Sequence, residues 1–316
     1  MWLIRPGVVL LAAAAAAQAA VPYSKTTHTF KRVAGCDVRA DVYRPKDKNV
    51  RPVLLWIHGG ALIFGSRENI RTVQLHRYLD AGFAVVSIDY RLAPETKLPE
   101  ILDDVRDAYA WVRAKGPSLF RIDPDRIAVA GHSAGGYLTL TCGYRLEPRP
   151  KALVAFYGYG DIIGDWYSRP DPFYSTTEGP VPKEEAYRVV GRKAVSEAKR
   201  EENRFRFYLY CRQQGLWPKE VGGRDPNAEP AAFAPWCPVR NVAVDYPPTL
   251  LLHGDKDTDV PFAQSQQMAR ELKGRGIPHE LIVIPGGEHG FDARLDDPVV
   301  GKAFDRVIEF LKERLR

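Results

Sequence analysis

The pentapeptide Gly131-His132-Ser133-Ala134-Gly135 is the place in the chain where residue types and spacing first suggest bond-breaking chemistry. A serine hydroxyl is a weak nucleophile unless a base takes its proton, and the base needs an orienting group. Small residues on either side of Ser133 fit a sharp strand-to-helix turn that projects the hydroxyl from a sheet edge. Residues 127–130 before it read as a strand and 134–146 after it as a helix, which is the context such a turn requires. The N–H of Ala134, at the head of that helix, would face a developing oxyanion. A glycine-rich turn with an incidental serine is the plainer alternative. A phosphate-cradling loop is disfavoured, because the Gly-Lys-Ser/Thr ending is missing.

Seven histidines are available as the base. His289 lies in Gly286-Gly-Glu-His289-Gly-Phe291, just after the last expected strand, where a loop can carry it over the C-terminal edge of a sheet. His58 and His253 also end strands, but each precedes a glycine and is expected to shape its own turn. His132 adjoins the serine, so its ring should point away, and His28, His76 and His279 lack a comparable setting. For the acid, Asp255, Asp257 and Asp259 compete in one loop, and Asp257, in mid-loop ahead of Pro261, is preferred. Their alternation invites a calcium-loop reading, yet the required Gly is Val260 and the closing Glu is Gln266, so no metal is expected. Gly60 and Ala61, in His58-Gly59-Gly60-Ala61, would complete an oxyanion hole unless that segment is only a glycine turn.

These residues need a scaffold that brings loop ends together. Near-continuous apolar runs at 52–57, 83–88, 127–130, 152–156, 249–252 and 281–284 read as strands covered on both faces. Between them, 99–115 carries Ile101, Leu102, Val105, Ala108, Tyr109 and Val112 at spacings of three and four, and 265–273 and 299–315 read as helices too. The alternation implies a mainly parallel sheet with helices on both faces. Residues 161–240 break the rhythm, being far longer than an ordinary connection and holding 12 of the 34 aromatic residues and 9 of the 25 prolines. Such an insertion is a substrate-facing lid, a subdomain with its own small core, or both.

Composition narrows the classes further. At 316 residues, 45% apolar and 27% charged, the chain is neither disordered, collagen-like nor a disulfide-dense mini-protein. The net charge of +6 comes from basic residues interleaved with acids, so no nucleic-acid partner is expected. The densest stretch, 193–206, reads as a solvated helix. Residues 1–20 have the layout of a signal peptide: Arg5, an apolar run at 8–17, then Ala17-Gln18-Ala19. The run is too short to span a bilayer. Export to a periplasm or medium, without a stable membrane anchor, is expected. In an oxidising compartment Cys211 and Cys237 would make a plausible staple, while Cys142 reads as a small core residue; Cys36 completes the set.

The motifs together resemble the α/β-hydrolases, in particular the carboxylesterases related to hormone-sensitive lipase and the catalytic domain of prolyl oligopeptidase. His58-Gly59-Gly60-Ala61 is similar to the lipase-like HGGG segment, with Ala61 in place of the third glycine, and Asp89-Tyr-Arg91-Leu-Ala-Pro-Glu95 matches another segment whose Asp and Arg are structural. The chain order Ser133, Asp257, His289 also agrees. The acid segment, His253-Gly-x-x-Asp257-x-x-Val-Pro261, is instead similar to the peptidase-like and feruloyl-esterase-like members. The resemblance implies an α/β-hydrolase fold with an inserted aromatic-rich lid at about 161–240. It implies a serine hydrolase that cleaves small-molecule carboxylic esters through an acyl-enzyme, needing neither metal nor organic cofactor. Ser133 would be the nucleophile, His289 the base and Asp257 its orienter, with the N–H groups of Ala134 and of Gly60 or Ala61 forming the oxyanion hole. Two alternatives stay open: an amidase or peptidase (including an arylformamidase-like activity) on the same triad, and a non-catalytic binding protein on the same fold.

Overall fold

The computed structural model describes residues 21–199 and 204–316, so the signal peptide expected at residues 1–20 lies outside the described residues. Eight strands form one sheet: β1 (Tyr23–Val33), β2 (Cys36–Pro45), β3 (Arg51–Ile57), β4 (Ala84–Ile88), β5 (Ile122–His132), β6 (Ala152–Phe156), β7 (Thr249–Gly254) and β8 (His279–Ile284). Their order across the sheet is β1-β2-β4-β3-β5-β6-β7-β8. The first two are antiparallel to their neighbours, and the run from β4 to β8 is parallel throughout. This is the mainly parallel sheet expected from the sequence.

The helices are α1 (Thr72–Asp80), α2 (Leu98–Phe120), α3 (Ala134–Arg145), α4 (Asp165–Ser168), α5 (Pro172–Thr177), α6 (Lys183–Tyr187), α7 (Phe205–Gln214), α8 (Trp217–Gly222), α9 (Ala263–Gly274) and α10 (Pro298–Arg314). Because successive strand side chains point to opposite faces, Leu55 and Leu54 enter different cores. On one face Leu55 and Val129 join Ile101, Val105 and Tyr109 of α2, Leu138 of α3 and Met268 of α9. On the other, Leu54 and Trp56 join Tyr78 of α1 and Val307 and Leu311 of α10. Burial on both faces explains why β4 and β6 carry no exposed residue.

The antiparallel edge was not legible in the sequence. β1 reads YSKTTHTFKRV and is largely exposed, as a protective edge strand should be. Ala34 and Gly35, both at positive φ (52° and 73°), turn it back into β2. Asp89 and Arg91 have the structural roles that the resemblance implies: Asp89 accepts from the Arg67 guanidinium at 2.8 Å, and Arg91 pairs with buried Asp104 at 2.7 Å.

Two expectations are corrected. Of the stretch 193–206, residues 193–199 are not a solvated helix: Val195 accepts from the Leu92 N–H, and Ala198 bridges Gly65 as a short antiparallel pair; 200–203 lie outside the described residues, and helix α7 begins at Phe205. These backbone partners outweigh the local charge pattern. The four cysteines are free and buried, so Cys211 and Cys237 form no disulfide. Cys211 packs in the apolar core, and the Cys237 thiol lies 3.8 Å from Asp161 Oδ1.

The described residues of the insertion 161–240 carry α4 to α8 and two 3-10 turns. Trp166, Tyr167 and Trp217 stack in sequence, with centroids 3.8 and 4.1 Å apart. Arg212 lies against the Tyr167 face at 4.9 Å. Tyr174, Phe205 and Tyr208 from the same insertion line the cleft described next.

Candidate active site

β5 runs directly into α3, and the residue between them is Ser133, with φ 55° and ψ −122°. That conformation is unfavourable for a residue with a side chain and is held by its surroundings. The Ser133 N–H donates to Phe156 O at 2.9 Å, and its carbonyl accepts from the Tyr137 N–H at 2.9 Å. Gly135 allows α3 to seat against the end of β3, since a Cβ there would lie 2.1 Å from Ile57 O.

The imidazole of His289 reaches both expected partners. Its Nε2 is 3.1 Å from Ser133 Oγ, and its Nδ1 is 2.8 Å from Asp257 Oδ2. A carboxylate only accepts, so Nδ1 carries the hydrogen and Nε2 of the neutral ring faces the serine hydroxyl as acceptor. The Asp257 side chain is fully buried, and its Oδ1 accepts from the N–H groups of Asp259 and Val260, each at 2.9 Å. Burial opposes ionisation of Asp257, but hydrogen bonds from His253 and His289 outweigh it and hold the carboxyl well below its usual range. Burial likewise opposes protonation of His289, yet Asp259 and Asp257 overcome it and push the imidazole up. Beneath the ring, Tyr157 packs with its centroid 4.6 Å away, and its hydroxyl donates to Asp292 Oδ1 at 2.6 Å.

Gly60 and Ala61 border the same cleft, which has a volume of about 410 Å³. Both have positive φ (104° and 54°), and a Cβ at position 60 would fall 2.0 Å from Phe64 O. Their carbonyls are engaged: Gly60 O accepts from the N–H of Ile63 at 2.8 Å, and Ala61 O from Trp217 Nε1 at 2.9 Å. Their N–H groups have no protein acceptor among the described residues. Ala134 opens α3, where the first amides have no intrahelical partner. Ala61 thus keeps backbone donation despite replacing a glycine.

Each of the three loop aspartates has a distinct place. Asp257 meets His289 as expected, whereas Asp255 accepts from the Gly286 N–H at 2.7 Å and ties two loops together. Asp259 enters the cleft, with Oδ2 3.3 Å from His289 Nε2. Its Oδ1 accepts from Tyr208, from Tyr174 at 3.0 Å and from the Arg212 guanidinium at 2.7 Å. His253 does more than shape a turn. Its Nε2 lies 2.9 Å from Val260 O and 3.4 Å from Asp257 Oδ2, and its Nδ1 lies 2.7 Å from Ser265 Oγ. A carbonyl cannot donate, so Nε2 carries the hydrogen and backs the acid. His132 turns away from the serine, with its ring centroid 5.2 Å from that of Trp56, and burial pushes its pKa down to about 4. The two neighbouring imidazoles are thus shifted in opposite directions, His132 down by burial and His289 up by its carboxylates.

Among the described residues, no group of three or more His, Cys, Asp or Glu is placed to hold a metal, and no helix is long and apolar enough to cross a membrane. A segment of a non-reducing polyketide synthase from Aspergillus calidoustus is 30% identical over 94% of this chain. The chain spans only 14% of that relative's length. Among solved structures, an α/β-hydrolase superfamily protein from Enterococcus faecalis superposes with a TM-score of 0.74 at 24% identity, covering 93% of this chain and all of the other. Carboxyl esterase 2 of Tuber melanosporum gives 0.67 at 22% identity, covering 95% of this chain and 89% of its own. Residues 54–293 match the α/β-hydrolase fold family, and with the strand order and strand-end loops described above, the chain belongs to that family.

Proposed function

We propose that this protein is a serine hydrolase of small-molecule carboxylic esters. The observation that carries the reading is the relay Asp257–His289–Ser133, with contacts of 2.8 and 3.1 Å, ending on a serine at positive φ. In this reading His289 Nε2 takes the Ser133 proton as Oγ attacks the ester carbonyl, and Asp257 stabilises the resulting imidazolium. The N–H groups of Ala134 and of Gly60 or Ala61 receive the oxyanion, a single such donor being worth about 10²–10³ in turnover. His289 then returns the proton to the leaving alcohol. Water, activated by the same imidazole, attacks the acyl-Ser133 ester, and collapse of the second tetrahedral intermediate frees the acid and restores the hydroxyl.

Residues 161–240 act as a cap over this cleft, and residues 1–20 direct export and are removed. Amino-terminal sequencing of protein recovered outside the cytoplasm should begin near residue 20. The central test is Ser133→Ala on short-chain p-nitrophenyl esters, with turnover expected to fall by about 10⁶. A fluorophosphonate should label the native protein on Ser133. Hydrolysis surviving the substitution at the native rate would refute the mechanism.

A further inference from the structure

The Nε2 side of His289 holds a carboxylate that the proposed reaction does not use. Asp259 Oδ1 is saturated by Tyr174, Tyr208 and Arg212, the last 1% exposed and paired on its far side with Asp171. Oδ2 meets only His289 Nε2, at 3.3 Å, among the described residues. Ser133 Oγ and Asp259 Oδ2 thus flank the same nitrogen, at 3.1 and 3.3 Å. A departing alcohol oxygen must come within hydrogen-bond reach of that nitrogen to receive its proton. It therefore arrives next to a rigidly held acceptor.

From this geometry we infer that Asp259 is a specificity-determining residue that selects alcohols bearing a free hydroxyl on the carbon adjacent to the one that carries the ester oxygen. This rests on the ester-hydrolase reading and names its substrate class: monoesters of vicinal diols, the arrangement of polyols and sugars. A hydroxyl on that neighbouring carbon can donate to Oδ2 while the leaving oxygen faces Nε2. An apolar alcohol in the same position would strip water from Oδ2 and offer no donor in exchange. An anionic alcohol would meet direct repulsion. A fixed ammonium would suit the carboxylate but would stand beside the imidazolium as it forms, opposing the transition state, and Arg71 already lines the same cleft. The neutral donor is the one that satisfies Oδ2 without that cost. Phe205 and Tyr208 line the same cleft and offer aromatic surface for a carbon skeleton.

The test compares three butyrate esters: 2-hydroxyethyl and propyl, which are of near-equal size, and the bulkier cationic 2-(trimethylammonio)ethyl. The native protein should show kcat/KM for the hydroxyethyl ester at least about tenfold above the propyl ester, the scale of a hydrogen bond to a charged acceptor. The cationic ester should not exceed the hydroxyethyl one. In Asp259→Asn the three donors on Oδ1 hold the amide oxygen there, so the NH2 replaces Oδ2; the substrate hydroxyl can then only accept from a neutral donor, and the hydroxyethyl-to-propyl ratio should fall by about fivefold or more. A native ratio near one, a preference for the cationic ester, or a ratio that survives in Asp259→Asn overturns the inference. The native ratio decides alone if the variant does not fold. If none of the esters is cleaved and Ser133 escapes the fluorophosphonate, the hydrolase reading itself has failed, and this inference falls with it.

Discussion

The strand-end loops and the inserted residues 161–240 meet in one cleft but are held by different physics. Ser133, Asp257 and His289 lie just beyond β5, β7 and β8, where backbone hydrogen bonds and close approach fix each loop locally. The insertion contributes long-range polar contacts instead. Arg212 and Tyr208 of α7 and Tyr174 of α5 converge on Asp259, while Trp217 of α8 holds the Ala61 carbonyl. Chemistry is thus set by short-range geometry, and the shape and charge of the cleft by one buried guanidinium and its neighbours. That division can be broken by substitution on either side.

Among the substitutions that probe this division, the largest effect should come from Asp257→Asn. The two N–H groups on Oδ1 will hold the amide oxygen in place, so the NH2 will face His289 Nδ1 and force the other ring tautomer. Turnover should fall by about 10⁴ with little change in fold, as read by kinetics beside circular dichroism. Arg212→Met should do the reverse. It leaves Asp171 and Asp259 without their buried cation, costing about 3–5 kcal/mol of stability in urea unfolding. A stability loss for Asp257→Asn matching that for Arg212→Met would erase the distinction between the two regions.

The same division explains what could be read from the chain. The serine turn and the positions of His289 and Asp257 beside it were legible because each is a short motif at a strand end, where Gly135 and its neighbours record the steric requirement directly. Asp259 was legible only as a rival acid, because its partners Arg212, Tyr208 and Tyr174 lie 47, 51 and 85 residues away in sequence. His253 looked like a turn residue because its partners Val260, whose carbonyl sets its tautomer, and Ser265 lie 7 and 12 residues further on. β1 escaped notice because an edge strand is kept polar, and residues 193–199 misled because backbone pairing with Gly65 and Leu92 outweighs charge pattern.

Trp217→Phe probes the contact between the two regions. The aromatic stack on Tyr167 survives, but the Ala61 carbonyl loses its donor, at a cost of about 1–3 kcal/mol. If that bond orients the Gly60–Ala61 amides, kcat should drop on the order of tenfold while KM holds. A change in KM alone would mean that Trp217 shapes the cleft without orienting the donors.

The smallest effect is on the pH profile, and its sign follows from the two carboxylates around one imidazole. Asp259 and Asp257 stabilise the protonated ring, so the His289 pKa lies above the ordinary 6.5 despite burial. Only the neutral ring can accept the Ser133 proton, so kcat/KM should rise with pH along a limb centred above 6.5. Asp259→Asn removes one stabilising charge and leaves Asp257 in place, so the limb should move to lower pH without disappearing. A limb that stays where it was would mean that Asp259 is screened from the ring, and that the insertion, through Arg212, neutralises the carboxylate it holds.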